Sequence, residues 1–255
     1  MSKPKTTLAY NTRLQQHWRI PAYLCIALVL CSAINMTLFH TLIELFAIGV
    51  AVMSFVVSWN TYSFSKNTFL LVLGCGYFWV GILDLFHTLT FENMSIFSNV
   101  SASTTLHFWL SARYLEAFTL LLATINASKR IKPKYLFTAF SLACTLLVVL
   151  TLSNILPELY SQNQGLSDVK KINEYLIMLL FTYAIVRFTR NELNIDQHSR
   201  NLLITSAVLT IIAELNFTLY SSMTAANFII GHIFKLLSFW AIYRLLIESS
   251  LTKPI

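Results

Sequence analysis

The sequence predicts an all-α fold: a polytopic transmembrane helical bundle of eight helices with both termini in the cytoplasm. Three observations lead to this fold class. Of the 255 residues, 56% are hydrophobic and only 11% are charged, whereas a soluble domain carries about 25% charged residues. The apolar residues form runs of about 20 residues, the length that a helix needs to cross a bilayer. Basic residues concentrate in alternate loops between these runs.

The apolar runs are continuous and do not alternate with polar residues, which excludes strands and favours helices. No internal repeat or low-complexity linker divides the chain. We therefore expect a single integral membrane domain at 20–248, preceded by a cytoplasmic lead at 1–19 and followed by a cytoplasmic tail at 249–255. In chain order, the predicted spans are 20–39, 42–61, 69–89, 107–127, 134–152, 172–189, 201–220 and 228–248.

Lysine and arginine predict the orientation, because cytoplasmic loops of membrane proteins are enriched in both residues. The N-terminal lead, the loops after the second, fourth and sixth spans, and the C-terminal end hold fourteen of the 18 basic residues. The opposite loops hold only Lys170 and Lys171, while Arg113 and Lys235 lie within spans. The net charge of +7 thus follows from topology, so we expect the lipid bilayer as a partner and not nucleic acid.

Ionisable side chains within the spans are the candidate functional residues, because such groups are costly in a bilayer and usually face the bundle interior. Most of them occur as pairs spaced by three or four residues, which places each pair on one helical face. With the N-terminus inside, all of them fall in the outer half of the membrane. The set consists of His40, Glu44, Asp84, His87, Arg113, Glu116, Glu214, His232 and Lys235.

Two interpretations of this set are open. In the first, the charges only neutralise one another and lock helices together. In the second, they line an outward-opening polar pocket for a ligand, a proton or a metal. Imidazole suits transition metals and haem iron, so the candidate metal ligands are His40, His87, His107 and His232. Since no His-Glu-x-x-His or Cys-x-x-Cys-His motif occurs, a haem or transition-metal cofactor is a hypothesis based on residue type and depth.

Other functional classes are less well supported. No Ser/His/Asp or Cys/His arrangement is recognisable, so no enzymatic activity is expected of this chain. A proton-coupled transporter also uses intramembrane acids and histidines, but its polar path should continue to the cytoplasmic side. A haem- or metal-binding redox protein is the other alternative. The tryptophans near span ends, Trp18, Trp59 and Trp109, are predicted to be interfacial anchors.

Five segments that contain these polar residues resemble the membrane-associated sensor domains of the third type, in both order and spacing. The resemblance covers the chain from about residue 36 to its C-terminus. The segments are "HTLIELFAI" (40–48), "LGCGYFWVGILDLFHTLTFENMSIF" (73–97), "FWLSARYLEAFTLLLA" (108–123), "ELNFTLY" (214–220) and "GHIFKLLSFWAIYRLL" (231–246).

The resemblance implies an N-terminal membrane input module of a bacterial signalling protein in the inner (cytoplasmic) membrane. The usual output partners of such modules are diguanylate cyclases or histidine kinases, in cyclic di-GMP or two-component signalling, and homodimers are common among them. The resemblance does not identify the ligand that such a module senses. One departure lies at Glu92 and Asn93, where the family usually has a basic residue and Gly. Because "SSLTKPI" ends where an output domain would begin, we expect a stand-alone sensor, a truncation or a fragment.

Overall fold

The computed structural model describes residues 5–92, 94, 96–97, 100–126, 130–153, 155–161, 163, 165–190, 195–219 and 225–248. Asn93 and the predicted C-terminal tail at 249–255 lie outside these residues. The helices are α1 (Lys5–Ile34), α2 (Met36–Ser65), α3 (Thr68–Leu89), α4 (Ala102–Asn126), α5 (Pro133–Leu152), α6 (Asp168–Thr189), α7 (Gln197–Leu219) and α8 (Ala226–Tyr243). A π-helical turn, Arg244–Glu248, continues α8, and a short antiparallel hairpin, β1 (Tyr160–Ser161) with β2 (Gly165–Leu166), precedes α6.

The all-α prediction is confirmed, and each of the eight helices overlaps one of the eight predicted spans. Within the described part of the chain, seven helices, α2 to α8, are long and apolar enough to cross a membrane. The first helix offers only the shorter apolar stretch Trp18–Ile34. The eighth crossing, and with it the placement of both termini on one side, therefore stays a prediction.

Several helices begin earlier than predicted, because polar capping residues extend them beyond their apolar runs. Asn35 has an extended backbone, and its side chain accepts the Leu38 N–H at 2.8 Å. It therefore separates α1 from α2, so the prediction that the first span runs through residue 39 was wrong. In the same way Ser167 caps α6 by accepting the Lys170 N–H, so α6 begins at Asp168, four residues before the predicted start at 172.

Six of the helices form a closed ring. Packing contacts join α2 to α3, α3 to α4, α4 to α6, α6 to α7, α7 to α8, and α8 back to α2. The remaining two helices lie outside this ring, with α1 against α2 and α8, and α5 against α3 and α4. Their outer faces expose large apolar side chains such as Ile26, Leu30, Leu142 and Leu146, as lipid-facing helices do.

Helix α3 has no exposed residue along its length, and two glycines let its neighbours approach closely. A Cβ atom on Gly74 would lie 1.6 Å from Ser58 Oγ of α2. On Gly76 it would lie 2.2 Å from Thr119 of α4. Both neighbours of α3 therefore pack close to its first half, while Asp84 and His87 are buried near its end.

Candidate functional site: a buried polar cluster at one end of the ring

The nine predicted site residues lie toward the end of the bundle where α2, α4 and α8 begin and α3 and α7 finish, which we call the cluster end. Glu116 lies deepest along α4 (Ala102–Asn126), just past the middle of that helix. Each of the nine side chains is at most 5% exposed, even though all nine are charged or imidazole groups, contributed by five helices. Burial of ionisable groups at this density is stable only when they are paired and hydrogen-bonded, so their partners determine what the site can do.

Two buried cations, Arg113 and Lys235, connect the centre of the site. Arg113 of α4 donates through Nη2 to both carboxylate oxygens of Asp84 on α3, at 3.0 and 2.9 Å, and through Nη1 to Glu116. Lys235 of α8 donates to Glu44 Oε2 on α2 at 2.6 Å and to Asp84 Oδ1 at 3.2 Å. We call these five residues the ion network. It ties four helices of the ring together through charge-assisted hydrogen bonds.

The indole ring of Trp109 supports both cations. The Arg113 guanidinium lies 4.9 Å and the Lys235 ammonium 4.4 Å from the Trp109 ring centroid, within cation–π range. Trp109 is only 4% exposed, so its predicted role as an interfacial anchor was wrong. The physical reason is that α4 begins at Ala102, well before the predicted 107, which places Trp109 inside the bundle.

Three imidazoles lie next to the ion network, and we call His40, His87 and His232 the histidine cluster. The Nε2 atoms of His40 and His87 are 3.2 Å apart. The ring centroid of His40 lies 4.9 Å from that of His232. Glu44 Oε1 lies 3.9 Å from His40 Nε2 and 3.8 Å from His232 Nε2. Two helices, α2 and α8, therefore direct two imidazoles and one carboxylate oxygen at a common point.

Backbone carbonyls determine which ring nitrogens carry hydrogen. His87 Nδ1 lies 3.0 Å from the Thr105 carbonyl and His232 Nδ1 lies 2.8 Å from the Phe228 carbonyl. Because a carbonyl only accepts, both Nδ1 atoms are the donors, and each neutral ring keeps a lone pair on Nε2. His40 must then donate its Nε2–H to His87. The Nε2 lone pair of His232 has no hydrogen-bond partner among the described residues.

Phenylalanine rings close the histidine cluster, and we call Phe91, Phe217 and Phe228 the aromatic cover. Phe91 stacks on His40 with ring centroids 3.7 Å apart and an interplanar angle of 13°. Phe228 and Phe217 contact the His232 ring at centroid distances of 4.3 and 4.9 Å. The cover separates the imidazoles from the surface at the cluster end.

A second group of charges joins the site from α6, and sequence reasoning missed it. Lys170 forms an ion pair with Glu174 and donates to the Phe217 carbonyl. Lys170 is 1% exposed, so its assignment to an open loop was wrong. Glu174, Lys170 and Arg113 are among the charged groups that interact electrostatically with Glu214. Neither carboxylate oxygen of Glu214 accepts a hydrogen bond from the described residues.

Carboxyl groups outnumber basic groups among the buried side chains of the cluster end. If all were ionised, two negative charges would remain uncompensated, which protons or a bound cation would have to neutralise. The acids are Glu44, Asp84, Glu116, Glu174 and Glu214, and the bases are Arg113, Lys170 and Lys235.

Comparison with known proteins agrees with these features. A family model for a membrane-associated sensor domain, MASE3, matches residues 31–254, which is most of the chain. The chain belongs to the MASE3 family. No curated protein and no solved structure gives a significant match.

Membership of the MASE3 family confirms the resemblance inferred from the sequence. Together with the apolar helices, it identifies a multi-pass membrane protein. The family model describes a sensor domain.

The structure brings most of the predicted residues of this MASE3 domain into direct contact. The ion network and the histidine cluster together account for eight of the nine, and Glu214 lies beside them. His107 is the predicted metal candidate that lies apart, because its Nε2 is 2.9 Å from the Pro157 carbonyl, outside the histidine cluster.

Proposed function

We propose that this MASE3 domain is the sensory input module of a bacterial signalling protein in the cytoplasmic membrane. In this proposal a small ligand or ion enters the histidine cluster from the outer side and changes how α8 packs against α2 and α3. The single observation that supports it best is the position of α8, whose His232 and Lys235 contact Glu44 of α2 and Asp84 of α3 directly. An event in the cluster therefore acts on the helix that precedes an output domain.

A closed and an open arrangement are part of the proposal. The histidine cluster is covered by Phe91 and Phe228, which are 6% and 5% exposed. A ligand must displace these rings, so it favours an arrangement with the cover moved aside. Signalling requires the ligand to bind that arrangement more tightly than the closed one. The aromatic cover makes the ligand's affinity differ between the two arrangements. Its contacts with His40 and His232 exist only in the closed arrangement, where they block the ligand.

Ser238 provides a path for the signal one helical turn beyond Lys235. Its hydroxyl lies 2.9 Å from Ser206 Oγ and 2.8 Å from Thr210 Oγ1, both on α7. Each of these groups is at most 3% exposed. A shift or rotation of α8 has to break or exchange these bonds, since hydrogen bonds are directional. The movement would then reach the π-helical turn Arg244–Glu248 at the far end of α8.

The proposed output partner is a diguanylate cyclase or a histidine kinase joined after α8, as the family resemblance implies. The test is a chimera in which a diguanylate cyclase follows residue 248, with cyclic di-GMP formation as the readout. We expect His87→Ala and His232→Ala to change the output, while His107→Ala leaves it unchanged. Unchanged output in both cluster variants, with normal expression and thermal stability in detergent, would disprove the proposed sensory site.

A further inference from the structure

We propose that His40, Glu44 and His232 form a binding site for a divalent transition-metal ion. This inference rests on the proposed sensory function and names the chemical class of its ligand. One ring nitrogen from each histidine and one Glu44 carboxylate oxygen lie within 4.8 Å of one another. All three side chains are at most 2% exposed.

The distances fit an ion after small side-chain movements. Glu44 Oε1 lies 3.9 and 3.8 Å from the two Nε2 atoms. Around a tetrahedral zinc ion with bonds of about 2.0–2.2 Å, ligand atoms lie about 3.3–3.5 Å apart. The observed separations are therefore slightly wider than the bound geometry.

The tautomer of His232 is the one that metal-binding histidines use. Its Nδ1–H donates to the Phe228 carbonyl at 2.8 Å. This leaves the Nε2 lone pair directed at the site without a hydrogen-bond partner among the described residues. Ligating histidines almost always donate their second ring N–H to a carbonyl or carboxylate, which fixes the ring orientation. The backbone of α8 thus already holds His232 in the form that binds a metal.

The carboxylate of Glu44 is also oriented for metal binding. Its Oε2 accepts a hydrogen bond from Lys235 at 2.6 Å, whereas its Oε1 accepts none from the described residues. The free oxygen is the one that lies nearest to both imidazoles. Lys235 therefore orients the carboxylate as an outer-shell partner without occupying the oxygen that a metal would need.

The charge balance of the cluster end accommodates a divalent cation. Its buried carboxyl groups exceed its buried basic groups by two. A doubly charged ion compensates this excess in a site where water cannot. Two imidazoles and one carboxylate select transition metals such as zinc, copper, nickel or iron over magnesium and calcium, which prefer sites made only of oxygen.

Metal binding would also change a contact between two helices. His40 Nε2 donates its hydrogen to His87 Nε2 at 3.2 Å in the present arrangement. A ligating nitrogen carries no hydrogen, so His40 must move that proton to Nδ1 or release it. The bond between α2 and α3 through these imidazoles is therefore lost when the ion binds, and His87 Nε2 becomes free to approach the ion as a fourth ligand.

The test measures Zn²⁺ binding to the whole protein in detergent, purified with a histidine-free affinity tag and stripped with a chelator. We expect one tightly bound Zn²⁺ per chain by equilibrium dialysis with elemental analysis. Co²⁺ should give the visible absorption of a tetrahedral site and be displaced by Zn²⁺. Glu44→Gln and His232→Gln should weaken binding by at least about 100-fold, beyond the effect of outer-shell substitutions, whereas His107→Gln should leave it unchanged.

Absence of stoichiometric binding by the wild-type protein would overturn the metal site, and so would equal affinity in Glu44→Gln, His232→Gln and wild type. Thermal unfolding of each variant in detergent separates loss of the site from loss of the fold, and the Co²⁺ spectrum of the wild type needs no variant at all. The proposed sensory function fails separately, if Zn²⁺ binds as expected but the output of the cyclase chimera is insensitive to every change in the cluster.

Discussion

Asp84 is the residue on which both buried cations depend. Its carboxylate accepts hydrogen bonds from Arg113 and Lys235, which reach it from α4 and α8. Glu116 and Glu44 each pair with only one of these cations. Removing Asp84 therefore weakens two ion pairs at once in a place that water does not reach.

We expect Asp84→Ala to destabilise the protein by about 3–5 kcal/mol, the usual result of leaving a buried charge without its partner. Thermal unfolding in detergent, followed by circular dichroism, measures the change. Asp168→Ala is the matched control, because Asp168 forms an ion pair with Lys171 but is 92% exposed, and exposed pairs contribute little. Equal unfolding temperatures for the two variants would contradict the role of Asp84.

Phe91 covers His40, because the two rings stack with their centroids 3.7 Å apart. Phe91 therefore controls access to the imidazole. We expect Phe91→Ala to increase the rate of His40 modification by diethyl pyrocarbonate several-fold, because the substitution opens a path to the ring. Peptide mass spectrometry of the labelled protein gives the rate. Phe97→Ala is the control, since Phe97 lies in the same connection but is 44% exposed. If both variants react at the wild-type rate, the aromatic cover has another function.

At the residue scale, the sequence predicted which polar groups meet but not all their partners. Pairs three or four residues apart, such as Asp84 and His87, share a face regardless of how the helices pack, so their convergence was predictable. Tyr77, which donates to Glu116 at 3.0 Å, had no such signal, since a lone tyrosine in an apolar helix does not reveal its partner. Lys170 and Glu174 did carry a signal. They continue the spacing of the buried face at Ile177 and Phe181.

The close contact between α2 and α3 depends on Gly74 at the scale of the element. We expect Gly74→Ala to lower the unfolding temperature strongly, because its Cβ would lie 2.8 Å from the Ser54 backbone oxygen, which cannot rotate away. Gly49→Ala on α2 is a matched substitution with no atom within 4 Å of the new Cβ. That control should be neutral or slightly stabilising, since alanine favours helices. An unchanged unfolding temperature for Gly74→Ala would show that α2 and α3 pack less closely than the structure indicates.

Helix α8 is the proposed carrier of the signal, and Ser238 is its polar contact with α7. We expect Ser238→Ala to cost about 1 kcal/mol of stability and to uncouple the cluster from the output. In the cyclase chimera, Ser238→Ala combined with His232→Ala should then behave like Ser238→Ala alone. Ser153→Ala removes an exposed serine that bonds only to its own helix, and it should preserve the effect of His232→Ala. Additive effects of Ser238→Ala and His232→Ala on the output would contradict transmission through Ser238.

The presence of each helix was predictable from the sequence. An apolar run long enough to cross a bilayer has to satisfy its own backbone hydrogen bonds there, which a helix does. Helix ends were less predictable. Ser167, which caps α6, lies before the apolar run, so a hydropathy pattern begins after it. Asn35, which caps α2, lies inside the predicted first span, where one polar residue does not interrupt the apolar pattern. The same shift moved Trp109 and Lys170 from predicted surface positions into the interior.

For the whole molecule, the distribution of basic residues predicts that the cluster end faces outward. The burial of Lys170 strengthens this prediction, because it removes one of the two basic residues from the outer loops. Which helices surround one another did not follow from the sequence, since apolar faces do not specify their neighbours. The closed ring of α2, α3, α4, α6, α7 and α8 is therefore information from the structure.

Cysteine labelling in intact cells tests this orientation. We expect Glu158→Cys to react with a membrane-impermeant maleimide, and Ser65→Cys to react only after the membrane is permeabilised, because both positions are exposed at opposite ends of the bundle. Cys25 and Cys31 are replaced by alanine, while Cys75 and Cys144 are buried and so react slowly. The reverse labelling pattern would place the cluster end on the cytoplasmic side.

The response of the cyclase chimera to Zn²⁺, in membranes prepared with a chelator, tests whether the histidine cluster controls the output through α8. We expect added Zn²⁺ to change the rate of cyclic di-GMP formation by the wild-type chimera and by His107→Gln. Glu44→Gln and His232→Gln should show no response at the same concentrations. An identical response in all four proteins, or none in the wild type, would contradict a sensor that reads the histidine cluster through α8.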